Sequence, residues 1–233
     1  LVRWRRDRPD AVVGRLAVPI AVTVAALLAG WLGDVPLLPL LGLAVSAGLA
    51  VASVAPLWRR NLVRTPLFTW GMVVAHLGIA VALAGMACDS AFTRETLVAA
   101  RPGEGHRVGP WLVTFDGVAP RVGANWSAVE ARLTATCDDT TLVLHPQSRF
   151  FADPPTTTAE SAIATRLDGQ LYTVLGAPDG EGRWQLRLWW KPFVTLIWAG
   201  GALVAIGGAL SLVGRVTRER RARERDGWRY WTA

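Results

Sequence analysis

Apolar residues in this chain fall into unbroken runs and strict alternation, and each pattern predicts a different kind of element. Four runs read as membrane-spanning helices: Leu16 to Leu32, Val35 to Trp58, Leu67 to Ala87 and Phe193 to Val213. Crossing ~30 Å of hydrocarbon at ~1.5 Å per residue takes about 20 residues. Pro19 lies near the start of the first run, where a helix tolerates proline best. A tight turn at Gly33-Asp34 joins the first run to the second, and the third and fourth open just after Pro66 and Pro192.

Between the third and fourth runs the period changes to two. In Val108 to Val118, Leu112 and Thr114 fall on one face and Trp111, Val113 and Phe115 on the other, which predicts a strand. Ser127 to Thr136 and Thr141 to Leu144 are rich in β-branched residues, and Trp184 to Trp190 alternates again. Turn signals at Asp116-Gly117, Asp138-Asp139, Asp168-Gly169 and Asp179-Gly180 punctuate these runs. The region predicts a small antiparallel barrel or sandwich with a short helix around Thr158 to Arg166. The fold class is therefore membrane α-helical, with four transmembrane helices and an inserted β-rich domain. Trp189 and Trp190 precede Lys191-Pro192 at the expected re-entry into the bilayer, and Trp190 is expected at headgroup depth.

Composition agrees with the runs: 52% of residues are apolar, 18% are charged and mean hydropathy is +0.30. Charge then orients the chain. The amino-terminal arm, the loop after the second run and the tail carry 15 arginines against five acids, a net of +10. Cys88 to Lys191 carries 10 cations and 12 acids, a net of −2. Four crossings put the three basic segments on one side, which the positive-inside rule makes cytoplasmic. The expected layout is a cytoplasmic basic arm at 1–15, three transmembrane helices within 16–87 (16–32, 35–58, 67–87), an exported domain at 88–191, a fourth helix at 192–214 and a cytoplasmic tail at 215–233. The pI of 10.8 reports this topology, and no nucleic-acid partner is expected. The chain begins at Leu1 rather than Met and is read as the carboxyl-terminal piece of something longer.

Few residues could carry chemistry. His106 and His145 lie 39 positions apart with no third ligand at a recognisable spacing, so they make no metal site. Cys88 and Cys137 both fall in the exported region, where a disulfide is chemically permitted, but neither belongs to a C-x-x-C. There is no nucleotide-binding glycine motif, no G-x-S-x-G and no H-E-x-x-H, so no catalytic residue is assigned. His76 differs, being the tenth of 21 residues from Leu67 to Ala87 and hence close to the bilayer midplane. An ionisable side chain there is rare and functional by default. Met72 and Ala80 stand one turn away on either side, with Gly71, Ala75 and Gly78 nearby, leaving room for a flat apolar ligand or another helix. A neutral histidine bonded within the bundle, a proton relay and a haem ligand all fit this pattern. A neutral ring also needs a partner for its N–H, such as a backbone carbonyl or a neighbouring helix's side chain, and no carboxylate lies within a helical turn.

The ordered series Trp70-Gly71-Met72-Val73-Val74-Ala75-His76-Leu77-Gly78-Ile79-Ala80, Gly85-Met86, Gly123-Ala124-Asn125-Trp126, Ala159-Glu160-Ser161-Ala162-Ile163, Leu171-Tyr172, Lys191-Pro192-Phe193-Val194-Thr195-Leu196-Ile197-Trp198 and Gly207-Gly208 resembles the carboxyl-terminal third of the CcmF family. These are membrane subunits of the bacterial cytochrome c maturation haem lyase. The resemblance implies a multi-pass protein of the bacterial inner membrane whose β-rich domain is periplasmic. It implies that His76 is one of two axial ligands to the iron of a b-type haem (haem b), the other lying upstream on the same protein or on a separate subunit. It implies as partners a haem chaperone, apocytochrome c, other maturation subunits and membrane lipid. The implied function is helping to deliver haem and attach it through thioether bonds, as part of a haem lyase complex. Where the family pattern reads G-P-N-Y and P-E-K-R, this chain has Gly123-Ala124-Asn125-Trp126 and His145-Pro146-Gln147-Ser148-Arg149. Without the resemblance, a transporter or channel fragment with His76 as proton relay remains the alternative.

Overall fold

The computed structural model describes residues 9–58 and 61–231 and divides the chain into a helical unit and a strand unit, Phe92–Thr195. Arg3, Arg5, Arg6, Arg8, Arg59 and Arg60, counted above as cytoplasmic cations, lie outside the described residues. The helical unit comprises α1 (Pro9–Leu32), α2 (Leu37–Val54), α3 (Leu67–Phe92) and α4 (Thr195–Trp231).

Three of these helices, rather than the four expected, are long and apolar enough to cross a membrane among the described residues. They are α2 with the turn that follows it (Leu37–Leu57), α3, and Thr195–Arg220 of α4, with mean hydropathies of 2.1, 2.0 and 2.0. The apolar stretch of α1, Leu16–Leu32, is shorter, and the helix continues back from it to Pro9. Pro19 therefore lies inside α1 rather than near its start. Its carbonyl accepts a hydrogen bond from the Thr23 hydroxyl at 3.0 Å. The tail beyond Gly214 continues α4 as helix to Trp231.

Small residues set the helix contacts. Asp34, at φ 53°, closes the turn between α1 and α2, and Val35 donates to the Gly30 carbonyl at 3.0 Å. The two helices run antiparallel, with Gly30 against Leu40 and Gly48 against Thr23. The closest approach is between α3 and α4, where glycines recur every seven residues on both: Gly71, Gly78 and Gly85 face Gly207, Gly200 and Ile197. A methyl built on Gly78 would meet the Gly200 carbonyl oxygen and the Val204 nitrogen at 2.7 Å, and one on Gly207 the Gly71 carbonyl oxygen at 2.6 Å. Only glycine permits backbones this near. In lipid, where no hydrophobic force drives helices together, such close packing is a principal source of association. The Ser211 hydroxyl adds a bond to the Phe68 carbonyl at 3.1 Å.

The strand unit is a sandwich of two antiparallel sheets, built from β1 (Arg94–Ala100), β2 (Gly105–Val108), β3 (Trp111–Val122), β4 (Trp126–Cys137), β5 (Thr140–Leu144), β6 (Gln147–Ala152), β7 (Pro155–Glu160), β8 (Ala162–Thr165), β9 (Gly169–Pro178) and β10 (Trp184–Pro192). One sheet runs β1-β10-β9-β8; the other runs β2-β3-β4-β6-β7, with β5 also on β4. The alternation read in the sequence supplies the core: Trp111, Val113 and Phe115 from β3 meet Leu133 from β4, Leu171 and Leu175 from β9, and Leu186 and Leu188 from β10. Thr173 is the polar member of this layer, its hydroxyl bonded to the Ala162 carbonyl at 3.1 Å.

Four expectations change here. Val108 to Val118 is not one strand, because Gly109, at φ +55°, turns the chain between β2 and β3. Asp116-Gly117 makes a bulge inside β3 instead of a turn, with the β3–β4 register shifting between Phe115 and Gly117. The segment Thr158 to Arg166 is β7 and β8 rather than helix, since β-branched Thr156, Thr157 and Thr158 suit the pleat and pair with β6. Trp190 is not a headgroup anchor: it is buried at 7% exposure in the sandwich core, its ring 6.3 Å from that of Trp111. Its parity on β10 matches Leu186 and Leu188, so the inward face claims it.

Candidate functional site

His76 is held on α3 nine residues past Leu67, about 14 Å along the helix at ~1.5 Å per residue. Two faces of α3 are occupied. Gly71, Gly78 and Gly85 press on α4, and Ala87 meets Gly42 of α2, whose added methyl would lie 3.0 Å from the Ala87 Cβ. Thr69, Val73 and Ala80 are buried too. Met72, His76, Ile79 and Met86 follow one another at helical spacing along a third, exposed face. His76 is the polar group on that face, between two polarizable thioethers.

The His76 Nδ1 lies 2.8 Å from the Met72 carbonyl oxygen, one turn back on the same helix. A carbonyl only accepts, so the ring carries its proton at Nδ1 and donates it there. With that proton at Nδ1, a neutral ring presents its lone pair at Nε2, the form that binds metals. The second partner that a neutral ring requires is thus supplied by the helix backbone itself, which sequence spacing could not single out. The arrangement offers one imidazole ligand to a metal centre. No group of three or more potential metal ligands occurs among the described residues.

The other candidates stay apart from one another. His106 is on β2, its Nε2 buried and 3.9 Å from a Glu104 carboxylate oxygen, beyond hydrogen-bond length. His145 follows β5 and lies 3.7 Å from Glu130. Cys88, on α3, and Cys137, at the end of β4, are free thiols, and burial pushes the Cys137 thiol up from its ordinary pKa.

The sheet brings together two segments whose facing ends, Trp126 and His145, lie 19 positions apart in sequence. Trp126 pairs with Phe151, Ala128 with Arg149 and Glu130 with Gln147 across β4 and β6, so the Gly123–Trp126 and His145–Arg149 segments converge. The Arg149 guanidinium lies 4.4 Å from the Trp126 ring centre, and its Nε donates to Gln147 at 2.9 Å. Gln147 and Arg121 both donate to Glu130, at 2.6 and 2.8 Å. The Arg121 bond is the largest cause holding the Glu130 carboxyl below its usual pKa. Each of these residues reads as surface polar on its own, and only the register reveals the network.

Apolar helices joined to an antiparallel sandwich are an architecture that known membrane proteins share. Residues 91–192 match the family model of the CcmF C-terminal β-sandwich. The chain is 35% identical to the cytochrome c-type biogenesis protein CcmF of Escherichia coli (strain K12), over 91% of this chain and 34% of that protein. It is 35% identical to the cytochrome c-type biogenesis protein CycK of Bradyrhizobium diazoefficiens, over 94% of this chain and 36% of that protein. A solved structure of cytochrome c haem lyase CcmF superposes over 91% of this chain and 36% of its own length, with a TM-score of 0.68 at 24% identity, which speaks to the fold. The chain belongs to the CcmF family. It spans about a third of the length of the curated relatives it matches.

Proposed function

We propose that this chain is a haem-binding component of the cytochrome c maturation machinery in the bacterial inner membrane, helping to deliver haem and attach it to apocytochrome c, with His76 as one axial ligand to a b-type haem. The observation that carries the proposal is the Nδ1 contact with the Met72 carbonyl, which directs the lone pair of a neutral ring to Nε2 on the exposed face of an apolar helix. Haem, when bound, supplies an iron whose axial positions accept neutral imidazole. The chain's own residues do the rest. The Met72 carbonyl fixes the tautomer and strengthens the ring as a donor. Met72, Ile79 and Met86 keep water from that face. The close α3–α4 contact holds the helix that carries the ligand. The second ligand comes from the family's remaining length, on the same polypeptide or a separate subunit; the haem chaperone, apocytochrome c and other maturation subunits are the partners.

Cation counts support an orientation with the 59–66 loop and the tail in the cytoplasm and the strand unit in the periplasm. That part needs only α3 and α4 to cross. The amino-terminal arm joins the same side if α1 crosses as well. A membrane-impermeant thiol reagent applied to intact cells should label Cys137, and labelling only after lysis would invert the orientation.

Visible absorption of the complete protein, purified in detergent, tests the haem assignment. A Soret band with the sharp reduced bands of a low-spin b-type haem is expected. A colourless protein would instead favour the relay reading of His76.

A further inference from the structure

The turn that joins β8 to β9 presents a leucine where turns are ordinarily polar. Arg166 donates its backbone N–H to the Gly169 carbonyl at 2.8 Å, closing a tight loop with Leu167 at its tip, 97% exposed. A single exposed leucine is ordinary. This one is distinguished by what its backbone holds. The Leu167 carbonyl accepts a hydrogen bond from the Thr195 hydroxyl at 3.3 Å, and the Asp168 carbonyl accepts one from the Phe193 N–H at 2.9 Å. Thr195 is the first residue of α4, whose segment to Arg220 is long and apolar enough to cross a bilayer. The turn is therefore fixed at the height where the chain enters its last span.

The residues around that level have the character of a bilayer interface. Phe193, at φ 56°, is half exposed, and Trp198, on the first turn of α4, is 74% exposed. Arg166 is anchored to Asp168 at 3.1 Å and to Thr140 at 3.3 Å, so the loop is braced from beneath.

We propose that the β8–β9 turn is a membrane-seating wedge: Leu167 inserts among lipid headgroups beside Phe193 and Thr195, the residues that lead into α4. The sandwich thereby gains a contact with the lipid surface in addition to its covalent joins to α3 and α4. Free energy for this comes from burying one leucyl side chain at the interface, and its consequence is orientational: the seated turn limits swinging of the sandwich about its two connections. The proposal rests on α4 crossing the membrane.

The test uses the complete protein with Cys88 and Cys137 replaced by serine, and Leu167→Cys, Glu181→Cys or Ile206→Cys introduced singly and labelled with an environment-sensitive fluorophore. The protein is placed in phospholipid nanodiscs carrying nitroxide lipids, shallow or deep. Glu181 marks water: it lies beyond the far end of β10, whose nine residues at ~3.3 Å put it about 30 Å from Pro192. Ile206, 53% exposed on α4, marks the bilayer interior. The label at 167 should emit to the blue of that at 181, lose intensity to shallow nitroxide more than to deep, and resist aqueous iodide. The label at 206 should lose intensity most to deep nitroxide. Emission at 167 matching that at 181, with 206 still quenched from within the bilayer, overturns the wedge and leaves the span standing. Blue-shifted emission at 167 without quenching by either lipid would mean that protein covers the turn, and that also overturns it. Loss of lipid quenching at 206 would remove the span, and the wedge with it.

Discussion

In the strand unit, space between elements is filled: Trp111, Phe115, Leu133 and Leu188 are each no more than 1% exposed and interlock between two sheets. Between α3 and α4 the space is removed instead, because Gly71, Gly78 and Gly85 let one backbone rest on the other. The sandwich follows the rule of water, in which burial of large apolar groups drives folding. The helix pair follows the rule of lipid, in which apolar side chains gain little by leaving the solvent and close contact must do the work. Mutation should therefore act in opposite senses: making residues smaller damages the strand unit, and making them larger damages the helix pair.

The largest effect is expected from Phe115→Ala, which leaves a cavity at the sandwich centre and should cost about 3–5 kcal/mol in denaturant unfolding of the complete protein. Val122→Ala, at an 84% exposed site, should change stability by less than about 0.5 kcal/mol. Comparable losses at both sites would mean that Phe115 is not part of a packed core.

Next comes Gly78→Val. Its added methyls collide with the Gly200 carbonyl and the Val204 backbone, so the helices must separate, at a cost of about 1–3 kcal/mol as for overpacked cores. Gly201→Ala and Gly208→Ala, whose new methyls meet nothing within 4 Å, should be neutral in the same detergent unfolding assay. Equal behaviour of all three variants would break the distinction between filled and removed space.

The smallest effect concerns the polar network on β4 and β6. Arg121→Ala should cost about 0.2–1 kcal/mol at neutral pH, the Arg121 side chain being 58% exposed. Because the Glu130 pKa is lower in the folded state, its contribution is present above the unfolded value of about 4.3 and is lost as pH falls through the folded value. Acid melts of the wild type should thus lose stability below about pH 4 more steeply than those of Glu130→Gln. Asp179, held low by a backbone bond from Glu181 first, leaves part of the slope in place. A slope unchanged by Glu130→Gln would remove the network from the stability of the sandwich.

How much of this was legible depended on whether the determinant was local. The inward parity of Trp111, Val113 and Phe115 is a property of adjacent residues, and it appears in the core as read. Trp190 shared the same parity with Leu186 and Leu188, yet nearness to the entry of α4 pointed the other way, and packing won. The short helix expected around Thr158 to Arg166 gave way to β7 and β8, because pairing with β6 across the sheet outweighs what the local run suggests. The glycines at intervals of seven are visible in each helix, but which glycine meets which is set across more than a hundred residues of intervening chain. His76 was legible as the one histidine in a long apolar run because its position follows from counting, and it stands on the exposed face of α3. Its ring partner was not, because a backbone carbonyl leaves no mark on sequence.

That ring is the centre of the account, and it is tested by His76→Ala in the complete protein, purified in detergent alongside the wild type. Neutral Nε2 ligation predicts loss of the low-spin b-type spectrum and of most bound haem, with added imidazole restoring the spectrum by occupying the vacated position while leaving protein stability unchanged. Wild-type haem content with an unaltered low-spin spectrum in His76→Ala would contradict it and return His76 to an ordinary role within the helix.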